Sequence, residues 1–60
     1  MPSPVRFAVV KKLLESKGYK LVRVAGSHHV FEKTGVRPQI VPVHHNQVKY
    51  GYYRNAQKAP

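Results

Sequence analysis

The chain contains no cysteine and no aspartate, and its only carboxylate side chains are Glu15 and Glu32. The first absence removes disulfides and thiolate-bound zinc, the usual staples of a small domain, so stability must come from packing or from a partner. The second leaves a serine nucleophile without an acid to orient its histidine, and denies a metal ion the carboxylates that would complete a ligand set. Long apolar runs are missing too: nothing approaches the roughly 20 residues of a membrane span. The opening Met1-Pro2-Ser3-Pro4 does not have the form of a signal peptide. An unprocessed cytoplasmic chain with no membrane partner is expected. Residues 1–60 make one domain, and a domain of this size buries only about 60% of the surface its unfolded chain exposes, which leaves little room for an enclosed pocket.

Against this scarcity of acid stand eleven lysines and arginines, for a formal net charge of +9. Cationic side chains that neutralise phosphates release condensed counterions, so a polyanion, nucleic acid first, is the natural partner. A basic but inert surface and an acidic protein partner are the alternatives.

Ser3 is suited to cap a helix that starts at Pro4, the helical position where a missing N–H does no harm, and residues 5–17 read as helical. Val5, Val9 and Leu13 form one apolar row and Phe7, Val10 and Leu14 the next, with Arg6, Lys11, Lys12 and Lys17 available to the other side. Gly18 marks the stop. The period then changes: residues 19–24, 28–33 and 39–43 read as three strands joined by Ala25-Gly26-Ser27 and Thr34-Gly35-Val36-Arg37 as turns. Pro42 cannot donate to a ladder, so the third strand is expected at an edge or bulged. Residues 44–49 read as a loop, and residues 50–58 as a short second helix with Tyr53 packed inward. The expected fold class is α+β, an α-β-β-β-α chain with a three-stranded antiparallel sheet and two helices on one face.

Four histidines raise the question of metal. Adjacent strand residues point to opposite faces, so neither His28 with His29 nor His44 with His45 makes a chelating pair, and no metal site is expected. Ser27 beside His28 lacks a third triad member and reads as a turn residue that shapes the loop or offers a donor to phosphate. What remains is a histidine acting as acid or base on a polyanion. RNA carries its own nucleophile, the 2′-hydroxyl, so one well-placed imidazole among cations can promote its cleavage without a cofactor. Periodicity leaves two candidates. If Phe31 faces the core, His29 follows it inward and His28 points out; if Val30 faces the core, the roles exchange.

The stretch Leu13-Leu14, Gly18-Tyr19, Leu21-Val22-Arg23, Gly26-Ser27-His28-His29-Val30-Phe31 and Val41-Pro42-Val43-His44 resembles, in order and spacing, the HicA family of toxin–antitoxin systems. The resemblance implies a double-stranded-RNA-binding-domain-like fold and an endoribonuclease that cleaves mRNA and is restrained by a HicB-type antitoxin; the missing ligands add the expectation that cleavage needs no metal, and the net charge of +9 that the antitoxin is acidic. The resemblance puts the catalytic histidine on His28, with Gly26 and Ser27 as the supporting turn and His29, at a variable position, as second choice. Lys20, Arg23, Lys33 and Arg37 flank the hairpin that carries His28 and are candidates for phosphate binding; Lys49 and Arg54 are candidates in the tail, where tyrosines can stack on unpaired bases. After Val43 the chain departs from the family, with His45-Asn46-Gln47 and Tyr50-Gly51-Tyr52-Tyr53 in place of an aliphatic final helix. No metal or organic cofactor is implied. The alternatives are a non-catalytic RNA-binding module and a subunit that chiefly binds an acidic partner; neither needs a titrating imidazole at a hairpin turn.

Overall fold

A computed structural model describes residues 3–60. The elements run β1 (Val5–Arg6), α1 (Phe7–Ser16), β2 (Lys20–Ala25), β3 (His28–Glu32), β4 (Gln39–Pro42), β5 (Gln47–Val48) and α2 (Tyr50–Lys58). β2, β3 and β4 form an antiparallel meander with β3 central. Val10 and Leu14 of α1 and Ala56 of α2 share one core with Phe31 and Val41 of the sheet, so both helices lie on the same sheet face. This is the expected α+β arrangement, similar to the double-stranded-RNA-binding-domain fold. β4 is an edge strand, which is where Pro42 is tolerated.

The core rests on few side chains. Tyr19, Phe31, Leu14, Val10 and Val48 are the largest that are fully buried, and the four without a hydroxyl each contribute roughly 1.5–3 kcal/mol by removal from water. On α1, Val10 and Leu14 are buried and Phe7 and Leu13 pack against the core at its edge, whereas Val9 is 47% exposed. Tyr53 packs against the core from α2. The Tyr19 hydroxyl is buried with no hydrogen-bond partner among the described residues.

The N-terminal helix departs from expectation. It starts at Phe7, and Ser3 does not cap it: Arg6 holds the N-cap position, with no side-chain cap bond. Val5 and Arg6 pair instead with Val48 and Gln47 in a two-stranded ladder. The stretch expected as a loop therefore contains β5 and a two-residue turn. His44 and Gln47 exchange backbone hydrogen bonds of 3.0 and 2.8 Å, and His45 and Asn46 between them have positive φ of 53° and 61°, the pattern of a primed hairpin turn. The Asn46 carbonyl then accepts the Phe7 N–H at 2.8 Å, satisfying one of the donors that a helix start leaves orphaned. Burying Val5 against the core and finding this acceptor outweigh the local cap that Ser3 offered.

The other end of α1 follows the sequence. Gly18 has φ 95°, its N–H reaches Glu15 O and the Tyr19 N–H reaches Leu14 O, both at 3.0 Å, which is the Schellman pattern. Lys17 turns out not to be a free surface cation. Its Nζ donates to the carbonyls of Ala56, Gln57 and Ala59 at 2.9, 2.6 and 2.7 Å, tying the end of α1 to the negative end of the α2 dipole.

Candidate functional site

The β2–β3 connection is a two-residue hairpin, since Ala25 pairs with His28. Gly26 has φ 60°, and nothing lies within 4 Å of where its Cβ would be, so glycine here supplies backbone conformation rather than space. A positive φ at the first central residue and not at the second is the type II′ pattern, whose twist suits the strands it joins. The Ser27 carbonyl accepts the Val43 N–H at 2.8 Å, which fixes the end of β4 against the same turn.

The two histidines face opposite ways. Phe31 is fully buried in the core, and His29 follows it to the helix side. There its ring meets Phe7 at 4.6 Å between centroids, and Nδ1 lies 3.2 Å from the Ser27 carbonyl. A carbonyl only accepts, so Nδ1 carries the proton. His29 is half-buried packing. His28 is exposed on the opposite, uncovered sheet face, with Ala25 across from it on β2 and Pro42 on β4. Both neighbours are short, which leaves the imidazole open to a bulky ligand.

A β-bulge decides what stands beside His28. Between Leu21 and Arg23 the register shifts, so Leu21 pairs with Phe31 but Arg23 with Val30. Without the extra residue Val22, strict alternation would turn Arg23 to the core side; with it, Arg23 joins Val30 and His28 on the open face. Arg23 and His28 are then diagonal cross-strand neighbours, typically about 7–8 Å apart. Lys20 shares that face but stands at its far end, opposite Glu32, the last residue of β3.

The other cations named from sequence are not gathered there. Lys33 and Arg37 follow the far end of β3, which spans about 3.4 Å per residue, well away from the turn; Lys33 lies over the Tyr19 ring at 5.7 Å and donates to Pro60 O at 3.2 Å. Arg54 is exposed on α2. Lys49 lines an open cleft of about 330 Å³ with Pro42, His44 and Tyr52, next to the His28 end of the sheet. Glu15 is paired with Lys11 on α1 at 3.7 Å. Among the described residues no three His, Cys, Asp or Glu side chains come together as a metal site would require.

The family model described as the HicA toxin of bacterial toxin–antitoxin systems matches residues 8–59. The chain belongs to the HicA toxin family. Membership makes it a toxin component and implies an antitoxin partner. No curated protein and no solved structure matches it. No helix among the described residues is long and apolar enough to cross a membrane.

In this HicA-family chain His44, within the stretch expected to be a loop, is a further neighbour of that face. The alternation Val41-Pro42-Val43-His44 carries the signal, because Val41 and Val43 both pack on the core and so turn Pro42 and His44 outward together.

Proposed function

We propose that the protein is a ribonuclease toxin that cleaves mRNA in the cytoplasm by attack of the substrate's own 2′-hydroxyl, with His28 as the proton-transferring group. The observation that carries this reading is the register of β2 on β3, which leaves His28 uncovered between Ala25 and Pro42 with Arg23 on the same face. A phosphodiester lying across that face meets an imidazole able to take a proton and a guanidinium able to neutralise the charge that develops on phosphate oxygens. Gly26 and Ser27 set the position of His28 through the turn. Lys20 extends the cationic track along the sheet, while Lys49, with the exposed ring of Tyr52, offers a phosphate contact and a stacking surface at its other end. Lys33, Arg37 and Arg54 lie farther off and contribute to long-range attraction rather than to the reacting phosphate. An acidic antitoxin of the HicB type, drawn by the same positive surface, restrains the activity by covering His28.

The test is cleavage of RNA and of DNA of matching sequence by the purified protein and by His28→Ala, with RNA affinity measured alongside. Cutting of RNA alone, undiminished by excess EDTA, and a loss of about 10²–10⁴-fold in His28→Ala with affinity retained are expected. A variant active within a few-fold of the parent removes His28 from the role. Retained RNA binding by a parent that never cuts leaves an RNA-binding module instead.

A further inference from the structure

Transesterification at phosphorus moves two protons, one off the attacking 2′-oxygen and one onto the departing 5′-oxygen, and in-line geometry sets them on opposite sides of the phosphate. A single imidazole serves one of them in any one step. We propose that His44 is the second proton-transfer group of this site, a general acid opposite His28 as base; the proposal rests on the ribonuclease reading.

Four observations bring His44 there. Its side chain shares the outward face with Pro42, since Val41 and Val43 between and before them are both turned to the core. Pro42 is the direct cross-strand partner of His28, so His44, two residues on, is the diagonal neighbour of His28 on the side away from Arg23, at a typical backbone spacing of about 7–8 Å from which the two side chains can reach opposite sides of one phosphate. The backbone holds this arrangement: Val43 N–H to Ser27 O at 2.8 Å ties β4 to the His28 turn, and the paired His44–Gln47 bonds of 3.0 and 2.8 Å fix His44 itself. Finally, His44 opens into the cleft it shares with Pro42, Lys49 and Tyr52, which gives the nucleotide on the leaving side a place to lie, with a cation and an aromatic ring at hand.

The step balances. His28 takes the 2′-proton as the 2′-oxygen bonds to phosphorus; the bond from phosphorus to the 5′-oxygen breaks as His44 delivers its proton there. The products are a 2′,3′-cyclic phosphate and a free 5′-hydroxyl, and the two histidines end with exchanged protonation. His28 from β3, His45 from the adjoining turn, Lys49 from the β5–α2 junction and Tyr52 from α2 are the titratable or charged groups around His44; Glu15 is paired with Lys11 on α1 and Glu32 stands opposite Lys20 at the far end of β3, so neither is among them.

A leaving group that needs no proton separates the acid from every other role. The assay compares an oligoribonucleotide with one bearing a bridging 5′-sulfur at the mapped cleavage position, because a thiolate departs unprotonated. For His44→Ala and His44→Gln we expect a loss of about 10²–10⁴-fold on the oxygen substrate and near-parental rates on the sulfur one, whereas His28→Ala fails on both. The parent is expected to lose kcat at high pH as the acid is consumed, and that fall should be absent in the His44 variants. Thermal melts check folding, and the sulfur substrate reports directly on an intact site. Equal losses on both substrates, no loss on RNA, or rescue by sulfur in Tyr52→Phe rather than in the His44 variants overturns the proposal. A parent that cuts neither substrate overturns the ribonuclease reading itself, which a parent active on both would leave standing even if His44 proved dispensable.

Discussion

Replacing Lys17 by methionine keeps an apolar stem and deletes only the ammonium that joins α1 to α2. The three carbonyls of Ala56, Gln57 and Ala59 at 2.9, 2.6 and 2.7 Å lose their common donor. A hydrogen bond to a charged group contributes about 1.5–3 kcal/mol net. The three here do not add, because one ammonium gives up its hydration once and two of the bonds are part-buried while the third is exposed. A favourable charge at a helix C-terminus is worth about 0.3–1 kcal/mol more, partly counted already. The expected cost is therefore about 2 kcal/mol, a large share of the total of about 3–9 kcal/mol that a chain of this length can hold. At about 4–8 °C per kcal/mol for so small a domain, the melting temperature falls by about 8–16 °C. Urea unfolding followed by circular dichroism measures it, with Lys12→Met on the exposed side of α1 as control. A loss below about 0.5 kcal/mol, matching the control, would refute the tie as a source of stability.

His29→Ala should lower stability by about 1–2 kcal/mol through the lost Phe7 contact and Ser27 bond, while RNA cleavage stays within a few-fold of the parent; a stable but inactive variant would reverse the roles given to the two histidines. Changing the turn with His45→Asn and Asn46→Gly should raise the urea midpoint by an amount worth about 1 kcal/mol, since Asn-Gly accepts positive φ at both positions and the carbonyl that caps α1 belongs to the backbone; a lower midpoint would show that the His45 side chain stabilises the fold. Association with the antitoxin, followed by stopped flow, should slow about tenfold or more from low salt to about 0.5 M, and rates indifferent to salt would exclude charge steering.

What local chemistry dictates was legible in the chain. Gly18 ends α1 because a left-handed residue is cheap only for glycine, and Gly26-Ser27 makes the hairpin for the same reason. The period-3.6 and period-2 stretches specify the two helices and the three-strand meander. Distant pairing decided the rest. Only the meeting of Val5 with Val48 makes β1, moves the start of α1 to Phe7 and replaces Ser3 by a carbonyl from the far end of the chain. Only packing chooses between His28 and His29: alternation fixes that they point apart, and burial of Phe31 decides which is left open. The bulge at Val22 is the sharpest case, since one unpaired residue carries Arg23 across the sheet to the face of His28, and nothing in the pattern of β2 announces it. Periodicity records which residues share a face of one strand; which face belongs to solvent, and what stands across from it on the next strand, is settled by the free energy of burying the whole core at once.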